Sequence, residues 1–467
     1  MFHIFNIIAG LCSDVISMCP EDSLFVKYSC ISQSAKSGME KDICASVPDL
    51  FLTDRKGSGG PVIYRINRND LDAVFFERLE RYIEKIKAQG DIFPMICLLQ
   101  VLDTAMESIL SEITEEYQKE NFSVVLNTNR ETTGIGLLPR CSCIWERKTR
   151  LSHSYNRLDN FLVNFLLMEN SILGELIDKH YFLSPDTFPD FLEKKALNIA
   201  VSPLRIESHF VYDYFEKNDI QYFRVLYEEE YFDKDNEQIW QIILKSAENN
   251  TDIMVFPEML GNPETPEYIS QKLKALSAEE QSKMPSLTIL PSFYKNKLNT
   301  VFMLDRYGEV VCRQSKQNYY IKPVADKGSH LEAITANNVV NILHFDGIGR
   351  IAVLICKDFL TTHYMEQLMR CFKLTLIIVP SNSTGSYDFR QSFDLCAHDD
   401  CNVVWINTCE AIIPGKEANF ESIGYVRKRI GRNDDDSQRL CQFRICDGAF
   451  SGKCTHDCIY FETIQGV

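Results

Sequence analysis

From residue 197 onward, short runs rich in Val, Ile and Leu recur at 197–202, 253–256, 287–290, 300–304, 309–312, 338–345, 350–355, 374–379 and 402–406. Runs this short have strand length. Ile253-Met254-Val255-Phe256 and Ile351-Ala352-Val353-Leu354-Ile355 are apolar on both faces, which suits strands covered on both sides. Helical patterns fall between them near 236–248, 267–278, 361–371 and 388–399. Strands and helices interleaved at this spacing predict an α/β layered domain. Arg306-Tyr307-Gly308-Glu309 and Asp346-Gly347-Ile348-Gly349 read as hairpin turns between neighbouring strands.

The first part of the chain has a different rhythm. Residues 70–89 place Leu71, Val74, Phe75, Leu79, Tyr82, Ile83 and Ile86 at helical spacing, and residues 94–119 repeat the pattern with Ile96, Leu99, Leu102, Met106, Ile109, Leu110 and Ile113. A third helix is expected over roughly 157–181, and a strand at Phe122–Leu126. The apolar opening, Phe2 to Cys12, lacks a basic leader and a small-residue cleavage site, so it reads as a buried first element. Gly57-Ser58-Gly59-Gly60-Pro61 reads as a flexible joint; it lacks the Gly-Lys-Ser/Thr ending of a phosphate loop. Residues 1–185 are therefore expected to be mainly helical, with a domain boundary at Ser184–Pro189, and they hold no constellation that points to chemistry.

Composition narrows the function classes. A chain of 467 residues exceeds one ordinary core. Its net charge of −16 opposes a bare phosphate backbone, and the nearest basic run, Arg147-Lys148-Thr149-Arg150, is short. Nucleic acid is therefore not an expected partner. The 17 cysteines have no repeated spacing, which suits reduced thiols in a cytoplasmic protein. No segment is long and apolar enough to span a bilayer, so no membrane partner is expected. Cys441, Cys446, Cys454, His456 and Cys458 are spaced too loosely for two close zinc-ligand pairs, and no metal is expected.

Three reactive groups each follow a buried run. Glu258 ends Asp252-Ile253-Met254-Val255-Phe256-Pro257-Glu258, at a sheet rim where partial desolvation brings a carboxyl toward a general base's range. Lys316 lies eight residues beyond Gly308, and Cys356 ends Ile351-Ala352-Val353-Leu354-Ile355-Cys356. Taken singly, each is more often a surface charge or a small core residue. Their order and context resemble the Glu–Lys–Cys pattern of the nitrilase (carbon–nitrogen hydrolase) superfamily. The resemblance extends to the helix and strand over Asn236–Glu258, to Asn299-Thr300-Val301-Phe302 before the Gly308 turn, to Leu376-Ile377-Ile378-Val379-Pro380-Ser381-Asn382, and to Val403-Val404-Trp405-Ile406-Asn407. It covers roughly 196–430. Lys357 stands where members often carry an aromatic residue, and Cys396-Ala397-His398-Asp399-Asp400 replaces their usual Arg-Ala-x-Glu-Asn.

The resemblance implies a four-layer α-β-β-α sandwich over 196–467. It implies Cys356 as nucleophile toward an amide or nitrile, Glu258 as general base, and Lys316 with the Lys357 backbone N–H as oxyanion donors. No metal or organic cofactor is required. A second carboxylate between lysine and cysteine is left open between Glu332 and Asp326. Tyr319, Tyr320, Tyr387 and Arg390 are candidate pocket residues beside Lys357, and a homo-oligomer is implied. Acyl transfer to an amine would use the same three residues as hydrolysis. The alternative reading is a nitrilase-like binding or signalling module, such as those found in bacterial defence systems, with a protein partner recruited through residues 1–185.

Overall fold

A computed structural model describes residues 2–19, 23–52, 63–120, 123–146, 157–205, 207–324, 328–412, 422–429, 440–450 and 458–466. The glycine-rich joint at 57–61, the basic run at 147–150, Asp326, Cys454 and His456 lie outside these residues. The chain divides into two compact units. The first comprises Met1–Cys141, Arg147–Gly174 and Arg370–Phe372; the second comprises Ser142–Glu146, Glu175–Met369 and Lys373–Val467.

The first unit is built on six helices: α1 (Phe2–Met18), α2 (Ser23–Ser29), α3 (Gln33–Ser46), α4 (Ala73–Gln89), α5 (Ile92–Ala105) and α6 (Glu107–Glu120). Helix α5 is apolar around its whole circumference, with Met95, Ile96, Leu98, Leu99, Val101 and Leu102 all buried, so it runs through the core. Asp72 caps α4 by accepting the Phe75 N–H at 2.8 Å, and Gly90 ends it in the left-handed conformation. The stretch expected as one helix over 157–181 is instead a strand, Phe165–Glu169, one helical turn, and a second strand, Ile177–Phe182. The first of these is buried at every position. Continuous burial erases the period that separates strand from helix. Ser123–Leu126 forms no strand; the Leu126 N–H bonds the Leu137 carbonyl.

Among the described residues of the second unit there are two seven-stranded sheets and one of four strands. One large sheet runs in the order Phe293–Lys295, Leu298–Asp305, Leu287–Ile289, Ile253–Val255, Ala196–Val201, Tyr460–Gln465, with Val310–Ser315 also paired to Leu298–Asp305. The other runs Leu440–Phe443, Gly424–Arg427, Asn402–Ile406, Leu376–Pro380, Gly349–Val353, Val339–Phe345, Ile177–Phe182. Helices Phe232–Ala247, Thr265–Lys274, Thr362–Phe372 and Tyr387–His398 fall in the intervals where helical patterns are read. The Gly308 hairpin requires glycine: its φ is +82°, and an added Cβ would lie 2.5 Å from the Ser270 carbonyl oxygen.

The four-stranded sheet orders Ile321–Val324, Gly328–Glu332, Ile220–Tyr227 and Phe210–Lys217. Its long hairpin turns at Asn218 and Asp219, both at positive φ. No described single helix is long and apolar enough to cross a membrane, and no described group of three or more His, Cys, Asp or Glu residues is placed to hold a metal.

Candidate active site

Several chain segments meet where strands of the two large sheets end. Beyond Ile253–Val255 the Phe256 N–H still bonds the Ile289 carbonyl; two residues later the Glu258 N–H donates to the Ser381 carbonyl at 3.3 Å. Ser381 follows strand Leu376–Pro380, whose last carbonyl accepts the Cys356 N–H at 2.9 Å. The next residue, Asn382, donates its N–H to Glu258 Oε2 at 3.0 Å. Pro380-Ser381-Asn382 thus fixes the backbones of both Glu258 and Cys356. Asn407 holds the following turn, accepting the Ser383 N–H and donating to the Ser383 carbonyl, each at 2.8 Å.

Lys316 leaves strand Val310–Ser315 with its N–H on the Asn299 carbonyl, at 2.9 Å. Its Nζ lies 2.9 Å from Glu258 Oε1 and 2.9 Å from Glu332 Oε2. All three side chains are at most 2 % exposed, so two carboxylates share one ammonium away from water. Neutral donors offset the surplus charge. Asn299 Nδ2 reaches Glu258 Oε1 at 2.8 Å, the Tyr320 N–H reaches Glu332 Oε2 at 2.9 Å, and the Tyr294 hydroxyl donates to Glu332 Oε1. Burial pulls the Lys316 ammonium down, but Glu258 and Glu332 outweigh it and hold its pKa well above the usual lysine range. Lys316 is therefore a fixed cation.

Cys356 sits at φ +48°, ψ −100°, a backbone conformation that L-residues rarely adopt. Positions of this kind cost about 1–3 kcal/mol and persist only where the surroundings impose them. Burial pushes its thiol pKa well up, and Glu258 adds to that; Lys316 and the Asn382 N–H pull the other way. On balance these influences disfavour ionisation of the Cys356 thiol.

Asp358, two residues beyond the cysteine, accepts the Gln317 N–H at 3.0 Å, the Asn318 N–H at 2.7 Å and Asn318 Nδ2 at 2.9 Å. It ties the segment after Lys316 to the turn after Cys356. Burial raises its pKa from the ordinary 3.8 to about 6, against the pull of these bonds and of Lys316. The folded pKa lies above the unfolded one, so the stability Asp358 contributes is greatest below about pH 4 and falls as pH rises to about 6. The loss amounts to about 3 kcal/mol. Urea midpoints of the wild type relative to Asp358→Asn are expected to decline across that window. A flat difference would show that the carboxyl titrates normally.

Of the other residues singled out from sequence, Glu332 joins the cluster as the second carboxylate, delivered by the four-stranded sheet. Tyr320 presents its ring 6.0 Å from Lys316 Nζ. Lys357 opens the short helix Lys357–Leu360. Tyr319, Tyr387 and Arg390 are exposed. Sequence reasoning passed over Asn299, Asn382, Asp358 and Tyr294 as functional groups. The first two stand inside the very segments that carry the resemblance, and Asp358 is adjacent to one.

No protein-family model matches the chain, and no curated protein matches it. The chain does match solved structures of amidases and of NitFhit over about half its length, at low identity. An amidase from Nesterenkonia sp. AN1, with the acetamide moiety of fluoroacetamide added covalently at its active-site cysteine, is 12% identical with a TM-score of 0.36, over 50% of this chain and 83% of that one. Another structure of that amidase, described as from the nitrilase superfamily, is 14% identical with a TM-score of 0.33, over 50% and 84%. The C. elegans NitFhit protein is 14% identical with a TM-score of 0.36, over 58% of this chain and 61% of that one.

Proposed function

We propose that the second unit is a cysteine-dependent hydrolase of a non-peptide carbon–nitrogen bond, built as a four-layer α-β-β-α sandwich. One observation carries this reading. Glu258, Lys316, Glu332 and Cys356 come from four separate strand ends and interact in one buried cluster. A structural role would not require a strained cysteine beside a carboxylate and a permanent ammonium.

The chemistry follows from the charges. As Cys356 Sγ attacks an amide carbon, its proton passes to Glu258, and the C=O electron pair moves onto oxygen. That oxygen is met by Lys316 Nζ and the Lys357 N–H, and one such preorganised donor contributes roughly 3–4 kcal/mol. The intermediate collapses as the C–N bond breaks, and Glu258 returns the proton to the leaving nitrogen. Water then adds to the thioester, giving its proton to Glu258. The acid departs and the proton returns to sulfur. A nitrile would pass through the corresponding thioimidate.

The test is intact-protein mass spectrometry after incubation with small amides and nitriles, with peptide mapping of any adduct and assay of released ammonia. An acyl adduct on Cys356 accompanied by ammonia is expected. If a thiol-reactive probe labels Cys356 no faster than the remaining cysteines, and no amide gives an adduct, the binding-module reading replaces this one.

A further inference from the structure

Two carboxylates share the Lys316 ammonium, but the Cys356 proton needs one destination. A carboxylate offers about four lone-pair sites, and the two differ in how these are filled. Glu332 is occupied on both oxygens. Its Oε1 accepts from the Tyr294 hydroxyl and from Lys316 Nζ at 3.2 Å; its Oε2 accepts from the Tyr320 N–H and from Lys316 Nζ, each at 2.9 Å. Glu258 is occupied on one. Its Oε1 accepts from Asn299 Nδ2 at 2.8 Å and from Lys316 Nζ at 2.9 Å. Its Oε2 has the Asn382 N–H, at 3.0 Å, as its one donor among the described residues. Cys356 is anchored two residues before Asn382, by its N–H on the Pro380 carbonyl at 2.9 Å. Its thiol is hydrogen-bonded to the same Asn382 N–H and to Glu258, so the open position on Oε2 is the one beside the sulfur.

The neutral donors behind this asymmetry come from one rung. Tyr294 and Asn299 stand directly opposite each other on strands Phe293–Lys295 and Leu298–Asp305. One sends its hydroxyl to Glu332 and the other its amide to Glu258. Asn299 also accepts the Lys316 N–H on its backbone carbonyl, at 2.9 Å. It therefore holds the lysine by its main chain and the glutamate by its side chain. That side chain is fully buried, and only its Nδ2 end can donate to a carboxylate. Oδ1 is left buried with no partner among the described residues. An unsatisfied buried acceptor is costly, and a leucine of similar volume would avoid it. Packing does not explain an asparagine here.

We propose that Asn299 is a positioning residue of the reaction: together with Lys316 it occupies Oε1 of Glu258, so that Oε2 takes the Cys356 proton. This deepens the hydrolase reading and rests on it. The amide carries no charge, so it fixes the carboxylate without competing for the ammonium. Glu332, occupied at every position, stays a counter-ion of Lys316.

The experiment measures the rate at which methyl methanethiosulfonate converts Cys356 to its methyl disulfide, against pH, by peptide mapping of the full chain. The thiolate displaces methanesulfinate from the reagent, so the thiol proton must leave but no amide is involved. Asn299→Leu should move the acid limb of the Cys356 rate up by about one pH unit, the scale of one hydrogen bond to a charged group. A carboxylate stripped of a donor takes up its proton more readily. Asn299→Ala removes the same donor with less bulk and should give the same shift. In a Glu258→Gln protein that limb should be absent, and adding Asn299→Leu should change nothing. A limb that stays in place, or an equal effect of Asn299→Leu with and without Glu258, would overturn the proposal. The two readings fail separately. A wild-type protein that is acylated by amides, with a limb unmoved by Asn299→Leu, keeps the hydrolase and loses this inference. A protein that shows the shift but forms no adduct with any amide keeps the proton path and loses the hydrolase.

Discussion

Cys356→Ala is expected to lower amide hydrolysis by about 10⁵-fold or more, because groups that act as one nucleophilic unit fail together. In the proposed mechanism the sulfur forms the bond to the substrate carbon. Glu258→Gln should fall almost as far. Burial, the larger cause of the thiol's raised pKa, remains in that variant, so without a proton acceptor the thiolate hardly forms. The Cys356→Ala/Glu258→Gln double variant should then be no slower than Cys356→Ala alone. Alanine keeps the Cβ and the same backbone strain, so folding should be unchanged. The check is single-turnover ammonia release beside tryptophan-monitored unfolding. A Cys356→Ala protein that retains more than about a hundredth of the rate would remove the cysteine from the mechanism.

Lys316→Met is expected to cost about 3–5 kcal/mol of stability, the usual penalty for stripping a buried charge of its partner. Glu258 and Glu332 would then face each other without the cation that lies 2.9 Å from each. Trp145, Trp240 and Trp405 all belong to the second unit, so their fluorescence in urea reports that unit alone. Adding Glu258→Gln and Glu332→Gln to Lys316→Met should recover most of the loss, since the whole charged set is then gone. If the triple variant is no more stable than Lys316→Met, the cluster is not held by the balance described above.

How much of this was legible in the sequence depends on how each element is buried. Strands covered on both faces, such as Ile253–Val255 and Leu376–Pro380, print themselves as unbroken apolar runs, and the residues that end them follow. Phe210–Lys217 and Ile220–Tyr227 went unread because few of their residues are buried, and apolar ones such as Val211 and Leu226 are exposed. Yet alternating aromatics around Asn218-Asp219 are a hairpin signal. The same oversight left the second carboxylate ambiguous. Glu332 is carried in by that sheet, whereas Asp326 lies outside the described residues. Phe165–Glu169 failed for the opposite reason, since total burial makes a strand and a core helix read alike.

The outer strand Ile177–Phe182 pairs along its whole length with Val339–His344. It arrives from a stretch of chain that also holds the first unit, while Ser142–Glu146 makes an earlier excursion into the second. A piece of this protein begun at residue 196 would bare a row of backbone donors and acceptors along an apolar strand, which other copies would be free to extend. A piece begun at 175 would still lose the Trp145 indole from the Thr375 carbonyl and Glu146 from Arg350. The units alternate along the chain, so no single cut yields either of them whole.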